Sequence, residues 1–162
     1  MRVEHTIEPV FDNNSRLLIL GSFPSVRSRE AGFYYAHPRN RFWQLLAELY
    51  DAPLPSSAEE KRNLLLRNGL ALWDVIRSCE IKGSSDSSIT EVVPNDLSVI
   101  LKSCRITNII TNGNTAFRLY MRYQLEKTGI VPLKLPSTSP ANASWSFDRL
   151  LGEWGNIKTL EI

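Results

Sequence analysis

The chain has 162 residues, 43% apolar and 22% charged, with a formal net charge of +2. That length suits a single domain over residues 1–162 with a core of its own, and the balance excludes a disordered chain or a fibre. No apolar run approaches the roughly 18 residues of a membrane span, and MRVEHTIEPV has no secretory apolar region, so a cytoplasmic protein is expected.

In chain order, residues 17 to 23, LLILGSF, form an unbroken apolar run ending in glycine, as expected of a strand buried on both faces. Phe42, Leu45, Leu46, Leu49 and Tyr50 then recur at helical spacing. Ser56 and Ser57 precede Glu59 and Glu60 at capping-box distance, which predicts a helix running to about Gly69. A second strand is predicted over Ala71 to Ile76. Asn95 or Asp96 can cap a helix over Leu97 to Cys104. The third strand, Asn108 to Asn112, leads directly into a helix over Asn114 to Glu126. A fourth strand is predicted at Pro132 to Leu135, and a last helix over Ser146 to Trp154 with Gly155 as its stop.

Strands alternating with helices predict a three-layer α/β/α sandwich around a central, mainly parallel four-stranded sheet. In such sheets ligands bind beyond the carboxyl ends of the strands, where strand order reverses. The loops that start there are GSFPS, the stretch near Arg77, NGN and PSTSP. Most of them carry small hydroxyl, amide or glycine residues, a polar rim at the ligand-binding end.

Charge is unevenly spread. Arg16 to Arg41 holds five Arg against one Glu, and Lys102 to Lys134 holds six basic residues against one Glu. The stretch from Asp51 to Asp96 carries eight acids against five bases. Two basic segments around an acidic middle suit one positive face and a polyanionic partner, with uneven surface charge as the plain alternative. Cys79 and Cys104 lack CxxC spacing, and two His cannot readily complete a zinc site. Both cysteines are therefore expected to be reduced, buried thiols, and no metal is expected.

Taken alone, GSFPS is a rigid strand-to-loop turn, neither a P-loop nor GxGxxG. PSTSP is a stiff loop rich in O–H and N–H donors. Together, these two turns resemble the two motifs of the uracil-DNA glycosylase superfamily. With the continuation YYAHPRNRFW and with PSTSPAN, the resemblance narrows to its hypoxanthine-DNA (deoxyinosine) glycosylase branch, from about Leu17 to about Leu151. Other branches place Asp or Asn in the first motif to position water, where this chain has Phe23. The uracil-specific branch opens its second motif with His, where this chain has Leu135.

The resemblance implies a monofunctional DNA glycosylase that hydrolyses the N-glycosidic bond of a flipped deaminated base, hypoxanthine being favoured. It implies no cofactor and no metal. The implied partner is double-stranded DNA containing a deaminated base, bound by a monomer. The branch uses the Asn of HPRN for catalysis, which is Asn40 here. An amide cannot remove a proton at neutral pH, but it can hold a water against C1′ of an oxocarbenium-like sugar. Asn40 equally suits a helix N-cap before Arg41.

Phe23 offers a flat face for stacking on the base, with core packing as the alternative. Ser22, Tyr35 and His37 complete the expected base pocket; one of Tyr34 and Tyr35 would wall it while the other packs beneath, and His37 either donates to the leaving base or fixes the loop by bonding a carbonyl. Ser25, Arg39, Ser137, Thr138 and Ser139 are expected phosphate contacts, with Arg27, Arg29 and Arg41 as further candidates. Asp86 to Ser88 either fold back over the pocket or form a solvated loop. Two rivals stay open: a uracil or thymine mismatch glycosylase, and a catalytically silent DNA-binding member of the fold. A serine hydrolase finds no GxSxG elbow.

Overall fold

The computed structural model describes residues 1–160. Its elements in chain order are β1 (Arg2–Glu4), β2 (Leu17–Gly21), α1 (Val26–Ala31), α2 (Phe42–Leu49), α3 (Ala58–Arg67), β3 (Leu70–Asp74) and β4 (Ile76–Glu80). They continue as β5 (Thr90–Pro94), α4 (Ser98–Leu101), β6 (Asn108–Asn112), α5 (Asn114–Tyr123), α6 (Leu125–Thr128), β7 (Leu133–Leu135) and α7 (Phe147–Trp154).

The central sheet has the order β3-β2-β6-β7 and is parallel throughout. β2 is its axis: Leu17 lies opposite Leu70 on one side and Asn108 on the other. All five residues of β2 and all five of β3 are buried, which explains unbroken apolar runs in place of alternation. Each fully buried Leu or Ile there contributes about 1.5–3 kcal/mol relative to exposure. The crossings β2→β3 and β6→β7 run in opposite directions across the sheet. Right-handed connections therefore place α1–α3 on one face and α5 on the other, which gives the three layers. Helix α7 packs against α2.

A second, antiparallel sheet, β1-β4-β5, was not expected. The predicted strand Ala71–Ile76 is in fact two strands. β3 ends at Asp74, Val75 N–H bonds the Gly21 carbonyl at 2.8 Å, and the chain enters β4 at Ile76. Helix α1 was also missed, since Ser28 is its only buried residue and it shows no apolar stripe. It is delimited instead by Ser25, which accepts from Ser28 N–H, and by Gly32 at φ 73°. The predicted strand at residues 17 to 23 closes at Gly21.

The other predicted helices sit where expected, with shifted ends. Ser57 caps α3 by accepting from Glu60 N–H, while Glu60 Oε1 accepts from Ser56 N–H at 2.9 Å. Asp96 Oδ1 accepts from Ser98 N–H at 3.1 Å. Asn95 is buried instead, donating to the carbonyls of Asp74 and Ile76 at 2.9 and 3.1 Å. Helix α5 stops at Tyr123 because buried Gln124 turns inward to bond the carbonyls of Val75 and Asn95. The last helix ends at Trp154 with Gly155 as its C-cap, in a right-handed conformation, and the chain runs on as a 3-10 turn to Leu160. Both cysteines are free; Cys79 is buried and Cys104 only half-buried. No helix among the described residues is long and apolar enough to cross a membrane.

Candidate active site

A cavity of about 470 Å³ opens beyond the carboxyl ends of β2, β3, β6 and β7, a volume suited to a small ligand. Strand order reverses between β2 and β6, so the cavity lies at the topological switch point. Residues 21 to 25 line one wall and residues 137 to 141 another. The two turns, more than a hundred residues apart, thus meet at one rim.

A hydrogen-bond chain ties the second turn to Asn40 and to the end of β6. Asn40 Oδ1 accepts from Phe42 N–H at 3.0 Å and from the Thr138 hydroxyl at 2.8 Å. Thr138 Oγ1 in turn accepts from Asn112 Nδ2 at 3.0 Å, and Asn112 Oδ1 accepts from Thr138 N–H at 3.1 Å. A backbone N–H can only donate, so the Phe42 contact fixes which end of the Asn40 amide is oxygen. That leaves Nδ2 as the group Asn40 can offer to the cavity it lines. Arg41 is the N-cap residue of α2, and Asn40, one position earlier, accepts from the first N–H of that helix.

Arg41 locks the second turn from below. Its guanidinium donates to the carbonyls of Ser139 (3.0 Å), Asn142 (3.2 Å) and Trp145, and its backbone N–H donates to Thr138 O at 3.1 Å. This spends a side chain that sequence reasoning offered to phosphate. Arg29 is spent in the same way, on the carbonyls of Ser25 (3.4 Å) and Gly83 (2.7 Å), with Phe23 under its guanidinium at 5.8 Å. Arg41→Lys keeps the charge but not the planar fork that reaches three carbonyls. It should cost about 1–3 kcal/mol and lower the melting temperature by several degrees, read by thermal denaturation.

The expected site residues fall into three groups. Ser22, Phe23, Tyr35, His37 and Asn40 all line the cavity, as do Ser25, Ser137 and Ser139. Arg39 is exposed beside it, and its side chain makes no hydrogen bond among the described residues. Thr138 also borders the cavity, but it is fully buried and its hydroxyl is spent between Asn40 and Asn112. It ties Asn40 to Asn112, where the sequence offered it to a phosphate. Ser25 is occupied as the cap of α1. His37 Nδ1 accepts from Arg39 N–H at 3.1 Å, and the His37 carbonyl accepts from Asn40 N–H at 2.9 Å, so His37 shapes the turn that presents Asn40. Tyr34 is the tyrosine that packs beneath, its hydroxyl donating to Glu8 O at 2.8 Å.

The Ser-rich loop does fold over the mouth. Ser84 Oγ accepts from Val26 N–H at 2.9 Å, and Ser22 Oγ stands 3.5 Å from Asp86 Oδ1. Surrounding protein raises the Asp86 carboxyl above the usual range, against the pull of the Thr115 and Ser22 hydroxyls.

Sequence reasoning missed the cavity floor. Asp74, which closes β3, is 3% exposed and lines the cavity. Its Oδ2 lies 2.8 Å from His5 Nε2. The His5 ring sits among Phe23, Tyr34 and Trp73, with centroids 6.0, 6.2 and 6.4 Å away. Burial, then the Asp74 charge, push the Tyr35 phenol far above its ordinary pKa, with Asn112 opposing. A carboxylate closing an apolar strand at the ligand-binding end was the available signal.

The comparisons with known proteins agree with this geometry. A family model of the uracil DNA glycosylase superfamily matches residues 8–154. A hypoxanthine DNA glycosylase of Methanosarcina acetivorans is 36% identical over 149 residues, covering 90% of this chain and 91% of that protein. A hypoxanthine DNA glycosylase of Methanosarcina barkeri is 38% identical over 93 residues, 57% of this chain and 59% of that one. The solution NMR structure of a protein from Methanosarcina acetivorans superposes with a TM-score of 0.79 at 33% identity, covering 97% of this chain and 96% of that one. With the two motif turns lining one cavity and a family match over most of its length, the chain belongs to the uracil DNA glycosylase superfamily.

Proposed function

We propose that the protein is a monofunctional DNA glycosylase that releases a deaminated base, hypoxanthine first, from double-stranded DNA. The observation that carries this reading is the Asn40 amide: its oxygen is pinned by Phe42 N–H and Thr138, and its Nδ2 is left at the wall of a cavity of small-ligand size. A base inside a duplex is out of reach, so it must be extruded into such a pocket. Phe23 supplies a stacking face, Ser22, Tyr35 and His37 line the base site, and Asn40 attends the sugar.

The chemistry asks little of a base catalyst. The C1′–N bond breaks with its electron pair leaving on the nucleobase, and the sugar takes on oxocarbenium character. Asn40 Nδ2–H donates to one lone pair of a water, leaving the other aimed at C1′. The proton shed by that water ends on the departing base. No lysine lines the cavity among the described residues, so no Schiff base is set up and the product is an abasic site in an uncut strand. Phosphates would meet Arg39 and the hydroxyls of Ser137 and Ser139, with Ser25 beside them and Thr138 acting through Asn40. The protein acts as a monomer in the cytoplasm.

Duplexes carrying one inosine or one uracil opposite varied partners test this directly. Hypoxanthine release should exceed uracil release in every pairing, with abasic strands that break only on alkaline treatment. Uracil released at an equal or higher rate would contradict the substrate assignment. Affinity should also fall as salt rises, with a log–log slope of about −0.9 per phosphate contact.

A further inference from the structure

The cavity floor holds chemistry that Asn40 does not use. A Cβ added to Gly21 would stand 2.5 Å from Asp74 Oδ1 and 2.9 Å from Tyr35 Oη, so a carboxylate oxygen and a phenol flank one point beneath the base site. His5 occupies Asp74 Oδ2, and the two side chains are only 2% and 4% exposed. Asp74 Oδ1 takes no hydrogen bond among the described residues, and the buried Tyr35 hydroxyl has no hydrogen-bond partner either. A buried orphan such as the Tyr35 hydroxyl calls for an explanation. Tyr35 also sits at φ 51°, a left-handed backbone that costs a non-glycine residue about 1–3 kcal/mol and clusters at functional sites.

We propose that Asp74 and Tyr35 read the lactam edge of the extruded base. Asp74 Oδ1 accepts from the ring N–H and the Tyr35 hydroxyl donates to the adjacent carbonyl, which in hypoxanthine are N1–H and O6. The assignment rests on the glycosylase reading above and specifies how that site selects its base. Deamination converts an amino group beside a ring-nitrogen acceptor into a carbonyl beside a ring N–H. Adenine and cytosine therefore set a lone pair against the carboxylate, whereas their deaminated products satisfy both buried groups. Guanine shares the lactam edge, so its additional amino group must be refused by shape. His5 holds the carboxylate in place and is a positioning residue.

The test compares single-turnover release from duplexes carrying one deoxyinosine or one deoxynebularine, a purine with neither O6 nor N1–H. The wild type should prefer deoxyinosine by about a hundredfold or more, the scale on which a site built to hydrogen-bond rejects an analogue lacking the partner. Asp74→Asn keeps an oxygen for His5 but turns NH₂ toward the base, and should shrink that preference at least about tenfold. Tyr35→Phe keeps the ring that packs 4.2 Å from Phe42, should shrink the preference less, and decides the matter if Asp74→Asn does not fold. Variants that slow both substrates alike, keeping the wild-type preference, would overturn the assignment and leave Asp74 structural. Equal release of both bases by the wild type would also overturn it. A wild type that releases no base from any duplex would instead sink the glycosylase reading itself.

Discussion

Asn40→Ala should slow single-turnover base release by roughly tenfold to a thousandfold, the scale of losing one contact to the transition state. Duplex affinity should stay within about threefold, because phosphate contacts carry most of it. The structure adds a second effect. Asn40 Oδ1 is the acceptor for Phe42 N–H and the Thr138 hydroxyl, so alanine also leaves both donors without that acceptor, at about 1–3 kcal/mol. Asn40→Asp separates the two roles. It keeps an acceptor for both donors and sets a negative charge at a helix N-terminus, so it should melt at or above the wild-type temperature. If the Nδ2 donor is what the reaction needs, this well-folded variant still loses rate. A silent DNA-binding member of the fold would show no rate to lose in either variant.

Gly21→Ala should be nearly as damaging, by a different route. The added methyl would meet Asp74 Oδ1 at 2.5 Å and Tyr35 Oη at 2.9 Å, closer than atoms tolerate. Neither neighbour is free to retreat, since His5 holds Asp74 at 2.8 Å and Tyr35 packs on Phe42. Overpacking of this kind costs about 1–3 kcal/mol. Displacing the pocket floor by even part of an ångström should reduce base release by about a hundredfold. Gly152→Ala is the matched control. It lies within α7 with nothing within 4 Å of an added Cβ, and should raise stability by about 0.4–1 kcal/mol with activity unchanged. Melting curves and release rates on the same preparations check both variants.

Much of the architecture was legible because burial leaves a mark on composition. LLILG is apolar without alternation since β2 has neighbours on both sides, and the Phe42–Leu49 stripe is helical because one face meets the core. The second sheet left no such mark. β1 is a polar three-residue strand, and β5 is mostly exposed and ends in proline. The candidate site was legible as the resemblance of GSFPS, YYAHPRNRFW and PSTSPAN to one family, which supplied Asn40 and the cavity wall. Which side chains were already spent was not legible. Arg41 reads as a phosphate ligand until the carbonyls of Ser139, Asn142 and Trp145 are seen to claim it. Thr138 reads as rim until its burial is known. The His5–Asp74 pair joins residues 69 positions apart, and no local pattern announces a contact at that range.

A structure of the protein on a duplex carrying 2′-fluoro-deoxyinosine, whose fluorine disfavours the oxocarbenium-like sugar, tests the central claim most directly. The account predicts the intact nucleotide turned out of the helix, its base between residues 21–25 and 137–139, and Asn40 Nδ2 facing C1′ across one water. An extruded base lodged elsewhere, or an Asn40 amide turned away from the sugar, would contradict it.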